Sequence, residues 1–284
     1  MQPYRFFLLF LTVWVIASTH ATAQSVAQTV AQREVLCRAA DTAAEVRLSA
    51  CGSLIEGAVY TNLSDYAVTH FNRGMALAQT GALEAAMTDL DTALDYDPYF
   101  YQAYIQRGTV LLSRDEPYRA ILDFSVAAGL EPLIAEPYAN RALALFANKE
   151  YAAALKDLET ALKFDPTNTA ARRSLAWMLS VVPDKTLRDG PRAISLIDGG
   201  QQAQTDQVVF AAAQAESGDI DGALQTYQVL AGQDPRAAQR FQTYLMAAGY
   251  YQGPIDGKFS PELEAALKQC LQAGCRIGGP MARP

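Results

Sequence analysis

The sequence predicts an all-α fold built from helical repeats, and three observations carry that expectation. Small residues and prolines recur at one spacing. Gly74, Gly108 and Ala142 lie 34 apart, as do Ala86, Ala120 and Ala154; Ala93, Ala127 and Ala161; and Pro98, Pro132 and Pro166. A fixed period of this length marks stacked supersecondary units, each too small to bury its own apolar face. Composition agrees: half of the 284 residues are hydrophobic, and glycine and proline are sparse and regularly placed. Finally, each block closes on an Asp-Pro or Glu-Pro step, which stops a helix because proline disfavours helical backbone in the residue before it.

Each block holds two helical stretches, 67–80 and 83–96 in the first, broken at Thr80-Gly81. At Gly74 and Gly108 the missing side chain lets the first helix approach its partner. Ala86 and Ala93, seven apart, share a face of the second helix and let it nest against its neighbours. Leu77, Leu90, Leu111, Phe124, Leu145 and Leu158 fill the spaces between. Two charged columns keep the same period: Arg73, Arg107 and Arg141, and Asp89, Asp123 and Asp157. A row of arginines could grip an acidic ligand. Because both columns repeat together, a ladder of ion pairs across each helical hairpin is the favoured reading, worth roughly 0–1 kcal/mol per pair if exposed.

These small residues and closing prolines resemble the tetratricopeptide repeat, with full copies at 67–100, 101–134 and 135–168. A further copy at 204–235 has Gly218, Ala223 and Pro235 in the places of Gly81, Ala86 and Pro98. Between them, 169–203 is irregular. There Leu175-Ala176-Trp177-Met178 is followed by Pro183-Asp184 and Arg188-Asp189-Gly190, which looks like a lengthened repeat with an insertion at the helix turn. The resemblance implies a solenoid of about five helix pairs over 64–235, with the first helix of each pair lining an inner face. By family geometry the inward positions are Phe71, Asn72, Met75, Ile105, Gln106, Thr109, Leu112, Asn140, Leu143 and Phe146. Apolar groups with interspersed amides, and no lysine or arginine clamp, suit an extended or helical peptide segment of a protein partner. The competing expectation is that segment 24–60 or the C-terminal module covers these residues.

The N-terminus reads as a targeting segment. Met1–Arg5 is short and basic, Phe6–Ser18 is almost wholly apolar, and Ala21-Thr22-Ala23 has the small-x-small pattern of a cleavage site. The apolar run is shorter than the ~20 residues of a membrane span, so removal of 1–23 is expected over retention as an anchor. That leaves 22 basic against 30 acidic residues, a net charge of −8, with His70 as the one histidine and no membrane span. An acidic chain has no electrostatic attraction to nucleic acid or an anionic lipid surface. An exported, periplasmic protein is the expectation, with proteins of the cell envelope as partners.

Four cysteines fit an oxidising compartment. Cys37 and Cys51 fall on two short amphipathic stretches, 33–40 and 44–57, within an N-terminal cap at 24–63. Cys270 and Cys275 lie near the other end. Three connectivities are open to four cysteines, and the local pairing, Cys37–Cys51 with Cys270–Cys275, is the simplest. Closing the first loop would add roughly 3 kcal/mol in the chain-entropy model. A shared metal site is the rival, and it lacks histidines to complete it.

After Pro235 the pattern changes. Ala237–Ala248 reads as a helix, followed by Gly249-Tyr250-Tyr251-Gln252-Gly253-Pro254-Ile255-Asp256-Gly257-Lys258-Phe259 and a second helix over Pro261–Ala273. Gly249, Gly253 and Gly257 are expected to supply positive φ angles, and Ser260 with Pro261 makes a good helix start. Within 236–284, a module and its tail, the stretch 236–276 is similar to the peptidoglycan-binding-like module through Leu245, Gly249, Tyr250, Tyr251, Gly253, Ile255, Asp256, Gly257, Phe259, Ala266 and Leu267. It departs at Ser260, where the family has glycine, and at Cys270-Leu271, where it has Phe-Gln. The resemblance implies peptidoglycan binding through Tyr250, Tyr251 and Asp256. The alternative is that the motif serves only to fold the loop.

Phosphate-binding glycine loops, nucleophile elbows and metal-ligand spacings are not found, and no cofactor is expected. The sequence therefore points to a non-catalytic periplasmic scaffold for protein partners, attached to peptidoglycan through its C-terminal module. The alternative is an accessory subunit or degenerate relative of a cell-wall hydrolase that positions a catalytic partner.

Overall fold

The computed structural model describes residues 29–39, 41–57, 62–197, 204–275 and 277. The expected signal segment 1–23 lies outside the described residues, as do parts of the N-terminal cap, of the irregular repeat and of the C-terminal tail. Among the described residues the structure is helical without strands, and no helix is long and apolar enough to cross a membrane. The chain divides into two compact units, Met1–Pro132 and Leu133–Pro284. That division falls at the Pro132 stop signal inside the expected solenoid, rather than at its ends.

In the first unit, α1 (29–38) and α2 (Ala44–Glu56) are joined by a Cys37–Cys51 disulfide with Cα atoms 5.0 Å apart. Both sulfurs are buried with Ala50 and Leu54. Arg47 is 2% exposed and donates to the carbonyls of Ala39 and Thr42, at 2.9 and 3.1 Å, which holds the connection between the two helices. Two helix pairs follow: α3 (Leu63–Gln79) with α4 (Leu83–Tyr96), then α5 (Tyr101–Ser113) with α6 (Pro117–Leu130). Helix α3 starts before the expected residue 67 because Asn62 caps it, its side chain accepting from the Asp65 amide at 2.8 Å.

The small-residue columns do what their spacing suggested. A methyl group at Gly108 would lie 2.7–3.0 Å from the ring of Phe124, so this ring is seated directly on the α5 backbone. Phe124, Leu90 and the alanines at 86, 93, 120 and 127 are all fully buried. The tight turns inside the pairs α3–α4, α5–α6 and α7–α8, and before Ile220, require left-handed backbone. Gly81 and Gly218 provide it freely, but the equivalent Asp115 and Lys149 adopt φ of 63° and 67° with a side chain attached.

In the second unit, α7 (Ala135–Ala147) pairs with α8 (Tyr151–Phe164), and α9 (Thr169–Val181) pairs with α10 (Gly190–Ile197). Between α9 and α10 the turn is lengthened and contains a short 3-10 helix, Lys185–Leu187. Arg188 returns from it to the α9 end, donating to the carbonyls of Val182 at 2.7 Å and Pro183 at 3.3 Å. Every residue from Leu175 to Val182 is buried, because α9 is packed by α8, α10 and α11 together. The last pair is α11 (Gln204–Glu216) with α12 (Ile220–Gln233).

The C-terminal segment forms α13 (Pro235–Ala247) and α14 (Pro261–Gln272), and a disulfide joins Cys270 in the last turn of α14 to Cys275 beyond it. It is no separate body. One hydrophobic core contains Leu224, Tyr227 and Leu230 of α12, Phe241 and Leu245 of α13, and Leu263, Leu267 and Leu271 of α14. Helix α12 packs against both, so the module closes the open end of the last repeat. A terminal unit that buries the final apolar face is what a repeat array needs.

Candidate partner surface and C-terminal loop

In the first unit, the candidate inner positions fall on α3 and α5 and divide by burial. Met75, Gln106 and Leu112 are half-buried and Thr109 is exposed, with its hydroxyl donating to the Ile105 carbonyl at 2.9 Å. Phe71 is also half-buried, its ring 4.8 Å from that of Phe100. Ile105 and Asn72 do not belong to the surface: they are 2% and 8% exposed. One residue along the helix, a rotation of about 100°, separates Asn72 from the half-buried Phe71 and Ile105 from the half-buried Gln106, and these two point toward the packed side. In the second unit, Asn140, Leu143 and Phe146 on α7 are half-buried, and Phe146 sits 4.9 Å from Trp177 and 5.3 Å from Tyr151.

The arginines take no part in this face. Arg73, Arg107 and Arg141 each make a two-pronged contact, through Nε and one Nη, with Asp89, Asp123 and Asp157, at 2.6–2.9 Å. The ladder is more buried than an exposed-pair estimate assumes, with the three carboxylates 3%, 6% and 7% exposed. Arg107 also reaches back to Asp91 at 2.7 Å and so links consecutive pairs. Asp89 has a second partner, the Nδ1 of His70 at 2.8 Å. Burial pushes the Asp89 pKa up, but the hydrogen bonds from Arg73 and His70 more than offset this and hold it below the usual carboxylate value. His70 is thus a packing and pairing residue at 6% exposure. Tyr104 and Tyr138 occupy the equivalent places in the next two repeats, where their rings lie under Arg107 and Arg141.

The loop after α13 is organised by a residue that the sequence did not single out. Gln242 is fully buried; its Nε2 lies 2.9 Å from Asp256 Oδ1 and 3.1 Å from the Lys258 carbonyl, while its Oε1 accepts from the Gly257 amide at 3.0 Å. Asp256 Oδ1 also accepts from the Lys258 amide at 3.0 Å. The Gln242 hydrogen bond, followed by that amide, holds the Asp256 carboxyl below its ordinary pKa. Tyr251 is 4% exposed and donates its hydroxyl to the Pro254 carbonyl at 3.0 Å. It is therefore part of the loop's interior and leaves the set of ligand-contacting candidates. Tyr250 is half-buried and Asp256 exposed. Gly249 and Gly257 have the expected positive φ, at 80° and 75°. Gly253 does not; it is needed for space, since a methyl group there would meet the Tyr251 hydroxyl at 2.5 Å.

Models of the tetratricopeptide repeat match residues 67–100 and 135–168. The model of a putative peptidoglycan binding domain matches residues 236–270. No curated protein matches the chain in sequence. Among solved structures, the Pseudomonas aeruginosa protein pilF is similar at 17% identity, over 74% of this chain and 93% of that one, with a TM-score of 0.53. YrrB, described as a TPR protein with an unusual peptide-binding site, is 18% identical over 65% of this chain and 91% of its own, with a TM-score of 0.48. The first TPR of Spaghetti, described as bound to an HSP90 peptide, is 24% identical over 40% of this chain and 91% of its own, with a TM-score of 0.40. The chain thus carries tetratricopeptide repeats in an all-α helical-repeat fold, followed by a C-terminal module that matches the putative peptidoglycan binding domain.

Proposed function

We propose that this chain is a non-catalytic protein-interaction scaffold of the periplasm, which holds a peptide segment of an envelope protein on the first helices of its repeats. One observation carries the reading. At repeat-equivalent positions, Met75, Thr109 and Leu143 stay at least partly accessible, whereas the arginines of the same helices are committed to the Asp ladder. What remains accessible at these positions, in each unit by itself, is apolar with neutral amide and hydroxyl groups, suited to burying side chains of a bound segment while hydrogen-bonding its backbone. Peptidoglycan attachment through the C-terminal module belongs to the same proposal. The match at 236–270 supports it, and Tyr250 and Asp256 are the loop candidates that keep exposed surface. The second reading is an accessory subunit or degenerate relative of a cell-wall hydrolase, in which the captured partner is the catalytic one.

The test is affinity capture from envelope extract with wild-type protein and with Met75→Glu, Thr109→Glu and Leu143→Glu combined. Ile105→Glu is unsuitable, since a carboxylate at a buried site would unfold the pair. Loss of a specific partner with unchanged helicity and melting temperature is expected. Equal recovery of every partner would remove this face as the interaction site. Co-sedimentation with purified sacculi, using wild type and Tyr250→Ala, examines wall attachment; protein that stays entirely in the supernatant would remove that part.

A further inference from the structure

An apolar stripe runs along the exposed side of α6, the second helix of its pair. Tyr118, Leu122 and Val126 follow one another at a spacing of four, so they share one helix face. They are 64%, 51% and 42% exposed. The repeat itself does not require them. One repeat earlier, the same places on α4 hold Glu84, Thr88 and Thr92; one repeat later, on α8, they hold Ala152, Lys156 and Thr160. Gly129, further along the same face, is a second departure from its counterparts Asp95 and Lys163. A methyl group at Gly129 would meet nothing within 4 Å. Glycine disfavours a helix interior, so a glycine where the chain itself needs no room suits close approach by a neighbour from outside.

This face is complementary to itself when the helix is turned end for end. In a two-fold contact, residue i of one copy meets j of the other, and j meets i. An axis at the level of Phe124, whose own ring is turned inward against Gly108, sets Leu122 against Val126 of the second copy, twice. The same axis sets Tyr118 against Gly129 of the second copy, so the largest side chain meets the open space. It also brings Arg119 within reach of the second copy's Glu131. The Arg119 side chain is 56% exposed although it pairs with Glu116, and Glu131 is exposed just after the helix ends. Volume, apolar surface and charge thus select one antiparallel register.

We infer that α6 is a self-association surface on which a second copy of this chain packs its own α6 antiparallel. The stripe is about 17 Å long and about 10 Å wide, short of the ~1,200–2,000 Å² that a stable interface buries. The dimer is therefore weak, with a Kd of roughly 0.1–1 mM, and forms where the protein is concentrated. Sedimentation equilibrium of the purified full chain, from about 10 μM to about 1 mM, tests this. The weight-average mass should rise with concentration toward that of two chains. Leu122→Lys with Val126→Thr should abolish the rise with helicity and melting temperature unchanged, because Lys156 and Thr160 already occupy these places on α8. Arg119→Glu alone should weaken association at least threefold, the cost of setting two carboxylates opposite each other. Adding Glu131→Arg should restore it, since the exchanged charges meet again in the antiparallel register. These residues lie on a second helix, so failure here leaves the reading of the first-helix positions untouched. A monomer at every concentration, or a mass increase that survives Leu122→Lys with Val126→Thr, would overturn the inference. Charge reversal without rescue would overturn the antiparallel register.

Discussion

The repeats and the C-terminal loop each displayed a strong sequence motif, yet burial treats the two differently. In the repeats, the period separates roles by helix face. One column is packed, one carries the ion-pair ladder, and one keeps Met75, Thr109 and Leu143 accessible. In the loop there is no period to separate roles, and residues that keep exposed surface, such as Asp256, are also part of its internal bonding. Tyr251, Gly253, Asp256 and Gly257 are drawn into a single network around Gln242. A motif of polar and aromatic residues is therefore a poor guide to binding until its hydrogen bonds are counted, because a short loop without helix or sheet must satisfy its backbone with side chains.

The ladder should be the costliest part to break. Arg107→Ala leaves Asp123 as a nearly buried carboxylate without its guanidinium and is expected to destabilise by about 3 kcal/mol in urea unfolding. Gln242→Ala comes next, at roughly 2–3 kcal/mol, because it abandons the Gly257 amide and the Lys258 carbonyl together. If Gln242→Ala proved nearly neutral, the contrast between a self-satisfied loop and an open repeat face would collapse. Acid tests the repeat ladder as well. Asp89's folded pKa is depressed, so its stabilising contribution is fully present above the unfolded value of ~4 and is lost as pH falls through the folded one. Unfolding midpoints measured between pH 5 and pH 2.5 should fall more steeply for wild type than for Asp89→Asn. Smaller again is Lys149→Gly, which relieves left-handed backbone at a repeat turn and should stabilise by ~0.5–1 kcal/mol. Arg192→Ala removes an exposed pair with Glu159 and should change stability by less than ~0.5 kcal/mol.

Most of the repeat architecture was legible because it is periodic. A spacing of 34 fixes which small residue faces which helix, and pairing Arg107 with Asp123 needs only the knowledge that two helices fold back on each other. The local disulfide pairing was readable for the same reason of short range. What escaped depends on direction within a turn or on contacts without a period. Ile105 and Asn72 share a helix with accessible residues and differ from them only in how far they rotate toward the core. Gln242 looks like any polar residue of an amphipathic helix, and its partners lie 14–16 positions away on a loop with no repeat to align them. Arg47 likewise seems an ordinary surface arginine until α1 and α2 close over it. The shared core of α12, α13 and α14 was hidden by the change of motif at Pro235, which suggested a boundary where packing is continuous.

Site-specific photocrosslinking in cells tests the central claim most directly. A photoreactive residue at Thr109 or Leu143, on the first helices, is compared with one at Glu84 or Lys156, exposed on the second helices. The scaffold reading predicts a discrete crosslinked partner from Thr109 and Leu143 and none from Glu84 and Lys156. Crosslinks of equal yield from all four positions, or from Glu84 and Lys156 alone, would contradict it.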